Sequence, residues 1–150
     1  MRTIIQRVKR AEVRVEGLTV GLAGPGLLLL VGVAKGDTEA DADATVRKLT
    51  HLRCFPGRTP MDQTLAEVHG GALVVSQFTL AADLTRGNRP GFDGAEEPVR
   101  AEALYLRVAA GLRAAGIPTE TGRFGASMEV ELVNDGPVTF VLDVRAGGVL

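Results

Sequence analysis

Seven consecutive residues, Leu27-Leu28-Leu29-Leu30-Val31-Gly32-Val33, carry no polar side chain and follow a Gly24-Pro25-Gly26 turn. The run is far below the ~18 apolar residues of a membrane span. Apolar on every side and bounded by turn residues, it reads as a strand buried on both faces rather than as a helix. Ala72–Phe78 reads the same way. Strands of this kind need cover above and below, so the chain must build layers on both sides of a sheet.

The remaining segments supply that cover. Val13 and Val15 alternate with Glu12, Arg14 and Glu16, and Ile4, Ile5 and Val8 extend this strand back to about Arg2. Thr38 suits a helix N-cap with Asp41 in a capping-box-like position, and Ala42, Val46, Leu49 and Leu52 follow at helical spacing. Pro98 suits the first turn of a second helix, with Glu96 and Glu97 at its positive end. Its buried stripe is Ala101, Leu104, Tyr105, Val108 and Leu112; Arg113 falls near its end, and Gly116 is the stop. Gly57–Gln63 reads as a surface loop, and Asp83–Glu97 as a long one of the kind that carries function. Met128, Val130 and Leu132 form one period-2 face and Val138, Phe140, Leu142 and Val144 another. Asn134-Asp135-Gly136-Pro137 between them reads as the tip of a β-hairpin, and Ala146–Leu150 as a tail. The order predicts an α/β (α+β) fold: mixed, mostly antiparallel β layers with two main helices on one face. A second β layer or a partner subunit is expected on the other.

At 150 residues the chain is one domain, with 45% hydrophobic and 23% charged residues, ordinary values for a globular protein. The N-terminus lacks an extended apolar stretch, and the single cysteine, Cys54, allows no internal disulfide. A cytoplasmic protein without a membrane segment is expected. Seventeen basic against eighteen acidic side chains, a formal charge of −1, disfavours a grip on long duplexes, so no DNA is expected as a partner. Recognition of one short RNA end needs only a few local arginines.

Few groups have the spacing that chemistry requires. His51 lies three residues before Cys54 and His69 precedes Gly70-Gly71, which is too little for a zinc site, so no metal is expected. No serine sits in a Gly-x-Ser-x-Gly elbow, and no Walker or dinucleotide fingerprint is present, so no cofactor is expected. The richest polar cluster is Ser76-Gln77-Phe78-Thr79. Locally it reads either as a strand leaving the core or as a strand end whose free backbone N–H groups can hold an oxyanion. Thr79 has no adjacent base to activate its hydroxyl. Gly136-Pro137 reads either as a plain turn or as a bond that a cis isomer would hold rigid.

Taken together, Ser76-Gln77-Phe78-Thr79 and Gly136-Pro137-Val138-Thr139 resemble the two signature motifs of the D-aminoacyl-tRNA deacylases. Ile5-Gln6-Arg7-Val8, Ala81-Ala82-Asp83, Arg86-Gly87-Asn88-Arg89-Pro90, Ala101-Glu102-Ala103-Leu104-Tyr105 and Thr121-Gly122-Arg123-Phe124 match in the same register, over about residues 2–145. The resemblance implies one domain over residues 1–145, with 146–150 a short tail outside it. It also implies a homodimer with the active site at the interface, and hydrolysis of the ester between a D-amino acid and the 3′-terminal adenosine of tRNA. Ser76, Gln77, Phe78 and Thr79 would line the catalytic pocket. Gly136 and Pro137 of one subunit would reject L side chains in the other, supported by Arg7, Val138 and Thr139. Arg86 and Arg89 read either as a solvated loop or as candidates for tRNA contact through its phosphates. A wall against L side chains cannot reject a hydrogen atom, so glycyl-tRNA, including glycyl-tRNA(Ala), is an expected second substrate. Two rivals stay open: an RNA-binding module without chemistry, and a hydrolase with Thr79 as nucleophile.

Overall fold

The computed structural model describes residues 1–150. The chain runs β1 (Arg2–Val15), β2 (Leu18–Ala23), β3 (Gly26–Gly32), α1 (Glu39–His51), β4 (Gly71–Ser76), a 3₁₀ turn (Phe78–Ala81), α2 (Pro98–Ala114), β5 (Thr119–Thr121), β6 (Glu129–Arg145) and β7 (Gly148–Val149). All strands join one sheet in the order β5-β4-β3-β1-β6-β7, with β2 also paired to β1. The β3–β4 and β4–β5 pairs are parallel and the rest antiparallel.

β1 organises the sheet. One of its edges pairs β3 from Arg2 to Val8 and β2 from Ala11 to Val15, while the other pairs β6 along almost its whole length. Three interruptions fall near Arg7–Arg10: the Gly24-Pro25 break between β2 and β3, an unpaired Lys9, and an excursion of β6 opposite Arg7. There the sheet folds over. The extra residue at Lys9 also changes which face the side chains enter, as a one-residue slip must. Ile5 and Val13 are both odd-numbered, yet Ile5 enters the helix-side core and Val13 the opposite one.

Both faces of the buried strands are covered by this arrangement. Leu27, Leu29, Val31, Ala72 and Val74 face α1 and α2, while Leu28, Leu73 and Val75 meet Val8, Ala11, Val13 and Ala23 on the other side. The second β layer is therefore the sheet itself, curled so that β2 crosses β4 and β5. Gly21 permits the crossing, because a side chain there would run into the Thr121 carbonyl and Leu73.

α2 buries the whole predicted stripe from Ala101 to Leu112 and stops at Gly116, which has φ of +84°. In α1, Asp41 Oδ2 accepts the Thr38 N–H at 2.9 Å, the reach-back half of a capping box. The helix ends at His51, so Leu52 lies just beyond it. Three further expectations are corrected. The strand expected over Ala72–Phe78 is Gly71–Ser76: after Gln77 N–H bonds the Val31 carbonyl, the chain tightens into the 3₁₀ turn. The hairpin expected at Asn134–Pro137 does not form, because β1 is long enough to pair both halves and β6 runs straight through. The tail folds back instead: Ala146 and Gly147 turn at φ of +51° and +74°, β7 pairs with β6, and Gly147 N–H bonds Asp41 Oδ1 at 2.8 Å.

Candidate active site

A cavity of about 460 Å³ opens where the parallel strands β3 and β4 end. Ser76, Gln77 and Phe78 form one wall; Phe124, Met128 and Glu96 contribute to the others. The polar groups are there because β4 stops at Ser76. The first residues of the 3₁₀ turn have no earlier turn to bond into, and neither the Phe78 nor the Thr79 N–H donates to any group in the chain. The Gln77 amide is hydrogen-bonded to the Thr79 hydroxyl, so that oxygen is held by an amide and not by a base. Phe78 is 56% exposed and leans on Phe92, their rings 5.1 Å apart and tilted by 60°. Across the cavity Phe124 stacks on Tyr105 of α2 at 6.0 Å, so the helix backs that wall. Burial pushes the Tyr105 phenol up, keeping it neutral.

The second signature segment is an excursion of β6. The ladder pairs Val8 with Asn134 and then Gln6 with Thr139, which leaves Asp135, Gly136, Pro137 and Val138 facing Arg7 alone. Gly136 and Pro137 are exposed, with a cis bond between them, and Gly136 has φ of +144°. Arg7 is only 8% exposed. Its Nε donates to the Asp135 carbonyl at 3.0 Å and its Nη1 to the Cys54 carbonyl at 2.8 Å. Gln6 Nε2 reaches the Thr139 hydroxyl at 3.3 Å. Asn134 Nδ2 donates to the carbonyls of Arg7 at 2.8 Å and Val138 at 2.9 Å.

Within one chain the fold brings Ser76, Gln77 and Phe78 into the cavity and holds Thr79 beside them, while Gly136–Thr139 take no part in its walls. Arg86 and Arg89 are exposed on a loop closed by reciprocal Asp83–Gly91 backbone bonds, and they do not line the cavity. Neither histidine lines it. Cys54 is buried in the core, and burial pushes its thiol pKa up. Three groups escaped the sequence reading as site residues. Phe124 and Met128 come from distant segments, with only the Thr121–Phe124 match as a hint. The amide of Asn134 was absorbed into a turn signal.

A family model described as D-Tyr-tRNA(Tyr) deacylase matches residues 4–143. The chain belongs to the D-aminoacyl-tRNA deacylase family. A D-aminoacyl-tRNA deacylase of Jannaschia sp. (strain CCS1) is 54% identical over 97% of this chain and 100% of its own length. One of Anaeromyxobacter dehalogenans (strain 2CP-C) is 53% identical over 97% and 98%. Among solved structures, a c-Myc DNA unwinding element binding protein superposes with TM-score 0.91 at 35% identity, covering 97% of this chain and 100% of that one. A probable eukaryotic D-amino acid tRNA deacylase shares the fold, with TM-score 0.82 at 19% identity over 95% and 98%. This deacylase is therefore an enzyme, a hydrolase acting on aminoacyl-tRNA. No helix in it is long and apolar enough to cross a membrane.

Proposed function

We propose that this deacylase cleaves the ester between a D-amino acid or glycine and the 3′-terminal adenosine of tRNA, and spares L-aminoacyl-tRNA. It would thereby proofread chirality and recycle mischarged tRNA, glycyl-tRNA(Ala) included, in the cytoplasm. The observation that carries the reading is the pair of free N–H groups at Phe78, which lines the cavity, and at Thr79 next to it in the 3₁₀ turn. Backbone donors held in place by the turn can stabilise the oxyanion of ester hydrolysis without reorganising. An aminoacyl ester is labile, so positioning plus this stabilisation lowers its barrier without a protein nucleophile. The ribose 2′-hydroxyl of the tRNA assists in this scheme. Phe124 and Met128 offer a flat apolar surface for the terminal adenine, a contact worth about 1–3 kcal/mol per base.

Selectivity needs the β6 excursion to reach a pocket it does not line within its own chain. A homodimer achieves this: Gly136-Pro137 of one subunit enters the pocket of its partner, and its carbonyls meet the substrate α-amino group where an L side chain would lie. Val138 and Thr139 support the motif, and Arg86 and Arg89, unpaired and exposed, contact the tRNA. Residues 1–145 act as the single catalytic domain. Incubation with matched D-tyrosyl-, L-tyrosyl- and glycyl-tRNA tests the reading. Loss of the D and glycyl esters with the L ester spared is expected. Survival of all three with RNA still bound would replace the enzyme with a binding module, and cleavage of the L ester would remove the wall.

A further inference from the structure

The excursion of β6 is held at two places by different means. Arg7 grips its flank through the Asp135 carbonyl and ties it to Cys54, beyond α1. The neck lies between two backbone rungs, Val8 with Asn134 and Gln6 with Thr139, and inside them the Asn134 amide ties one strand to the other. One acceptor of that amide, the Val138 carbonyl, is the far shoulder of the excursion; the other, the Arg7 carbonyl, belongs to the β1 residue whose ladder partner the excursion removes. The two contacts span Arg7 of β1 and residues 134 and 138 of β6, so they brace the gap between the two rungs through which residues 135–137 leave the sheet. No other side chain donates to either carbonyl. Without that amide the four-residue opening would be held at its shoulders by the two backbone rungs, with only the Arg7 side chain reaching across it.

We infer that Asn134 is a positioning residue for substrate selectivity, setting how far Gly136 and Pro137 stand off the sheet. The inference rests on the reading of Gly136-Pro137 as the wall against L side chains. Asn134 touches no substrate in this scheme; it acts through the segment it closes. Its two amide hydrogens are the feature that matters. Asn134→Asp keeps the size but presents carboxylate oxygens to two carbonyls, so it should open the neck more than Asn134→Ala does.

The test compares kcat/KM for D-tyrosyl- and L-tyrosyl-tRNA in the parent enzyme, Asn134→Ala, Asn134→Asp and Pro137→Ala, with thermal unfolding measured alongside. The D-to-L ratio is expected to fall about tenfold in Asn134→Ala, and further in Asn134→Asp, through faster cleavage of the L ester. A purely structural role would lower both esters together and leave the ratio unmoved, which would overturn the inference. A ratio unmoved in both Asn134 variants but moved in Pro137→Ala would also overturn it, while leaving the wall in place. If Pro137→Ala leaves the ratio unmoved as well, the wall itself fails and the inference falls with it. Should Asn134→Asp not fold, Asn134→Ser, which keeps a single donor, takes its place in the same comparison.

Discussion

At the pocket the chain stops a strand early and leaves the N–H groups of Phe78 and Thr79 without partners. At the β6 excursion it does the reverse, sending the Asn134 and Arg7 side chains to the carbonyls around the break in the ladder. Both regions depart from regular β structure. One departure leaves donors open, and the other ties its acceptors down. The difference teaches what each region is suited to do. Open donors can bind charge that appears during a reaction, whereas tied-down backbone holds a shape against which a substrate is judged. A binding face and a selective face can therefore be told apart by asking where the backbone hydrogen bonds go.

Removing Arg7 should disturb the excursion most severely. Arg7→Ala leaves the buried Cys54 carbonyl and the Asp135 carbonyl without their donor. It should cost about 3 kcal/mol of stability and lower the D-to-L ratio together. Denaturant unfolding and the paired-ester assay measure the two, and a stable variant with intact selectivity would show that the excursion holds itself. Asp41 supplies a reference outside both regions. Burial alone would raise its pKa, but hydrogen bonds from the Gly147 and Thr38 N–H groups outweigh that and hold the carboxyl below its usual range. A lowered folded-state value means that the stabilisation is fully present above the ordinary carboxylate range and is lost as pH falls through the folded value. Asp41→Ala should therefore cost about 2 kcal/mol at neutral pH, with a gap to the parent that narrows in acid and selectivity untouched. A gap independent of pH would contradict this. The smallest effect is expected at the pocket. If backbone donors do the work there, Thr79→Ala should keep kcat/KM within about fivefold of the parent, whereas a Thr79 nucleophile requires a loss of about 10³-fold or more.

What the sequence shows of this molecule follows the range of each signal. The stripe from Ala101 to Leu112 and the reach-back of Asp41 to Thr38 are local, and the helices form where they predict. The two-faced burial of Leu27–Val31 is also local, because no polar side chain interrupts it. What covers those faces is not. Whether β6 turns back at Asn134 depends on the length of β1, more than a hundred residues away in sequence, and Asn-Asp-Gly looks the same in either case. The pocket divides likewise. Ser76-Gln77-Phe78 is legible as a polar strand end, but Phe124 and Met128 join it only after α2 and the curled sheet have formed.

The position of the excursion has a further consequence. Val8 pairs with Asn134 and Gln6 with Thr139 on either side of it, and residues 135–138 form no rungs with β1. The tip is thus a replaceable part: its length and composition can drift, or be redesigned, without shifting the register of the strand that carries it. If the tip is the wall proposed above, a family built on this frame can revise what it rejects without relearning how to fold.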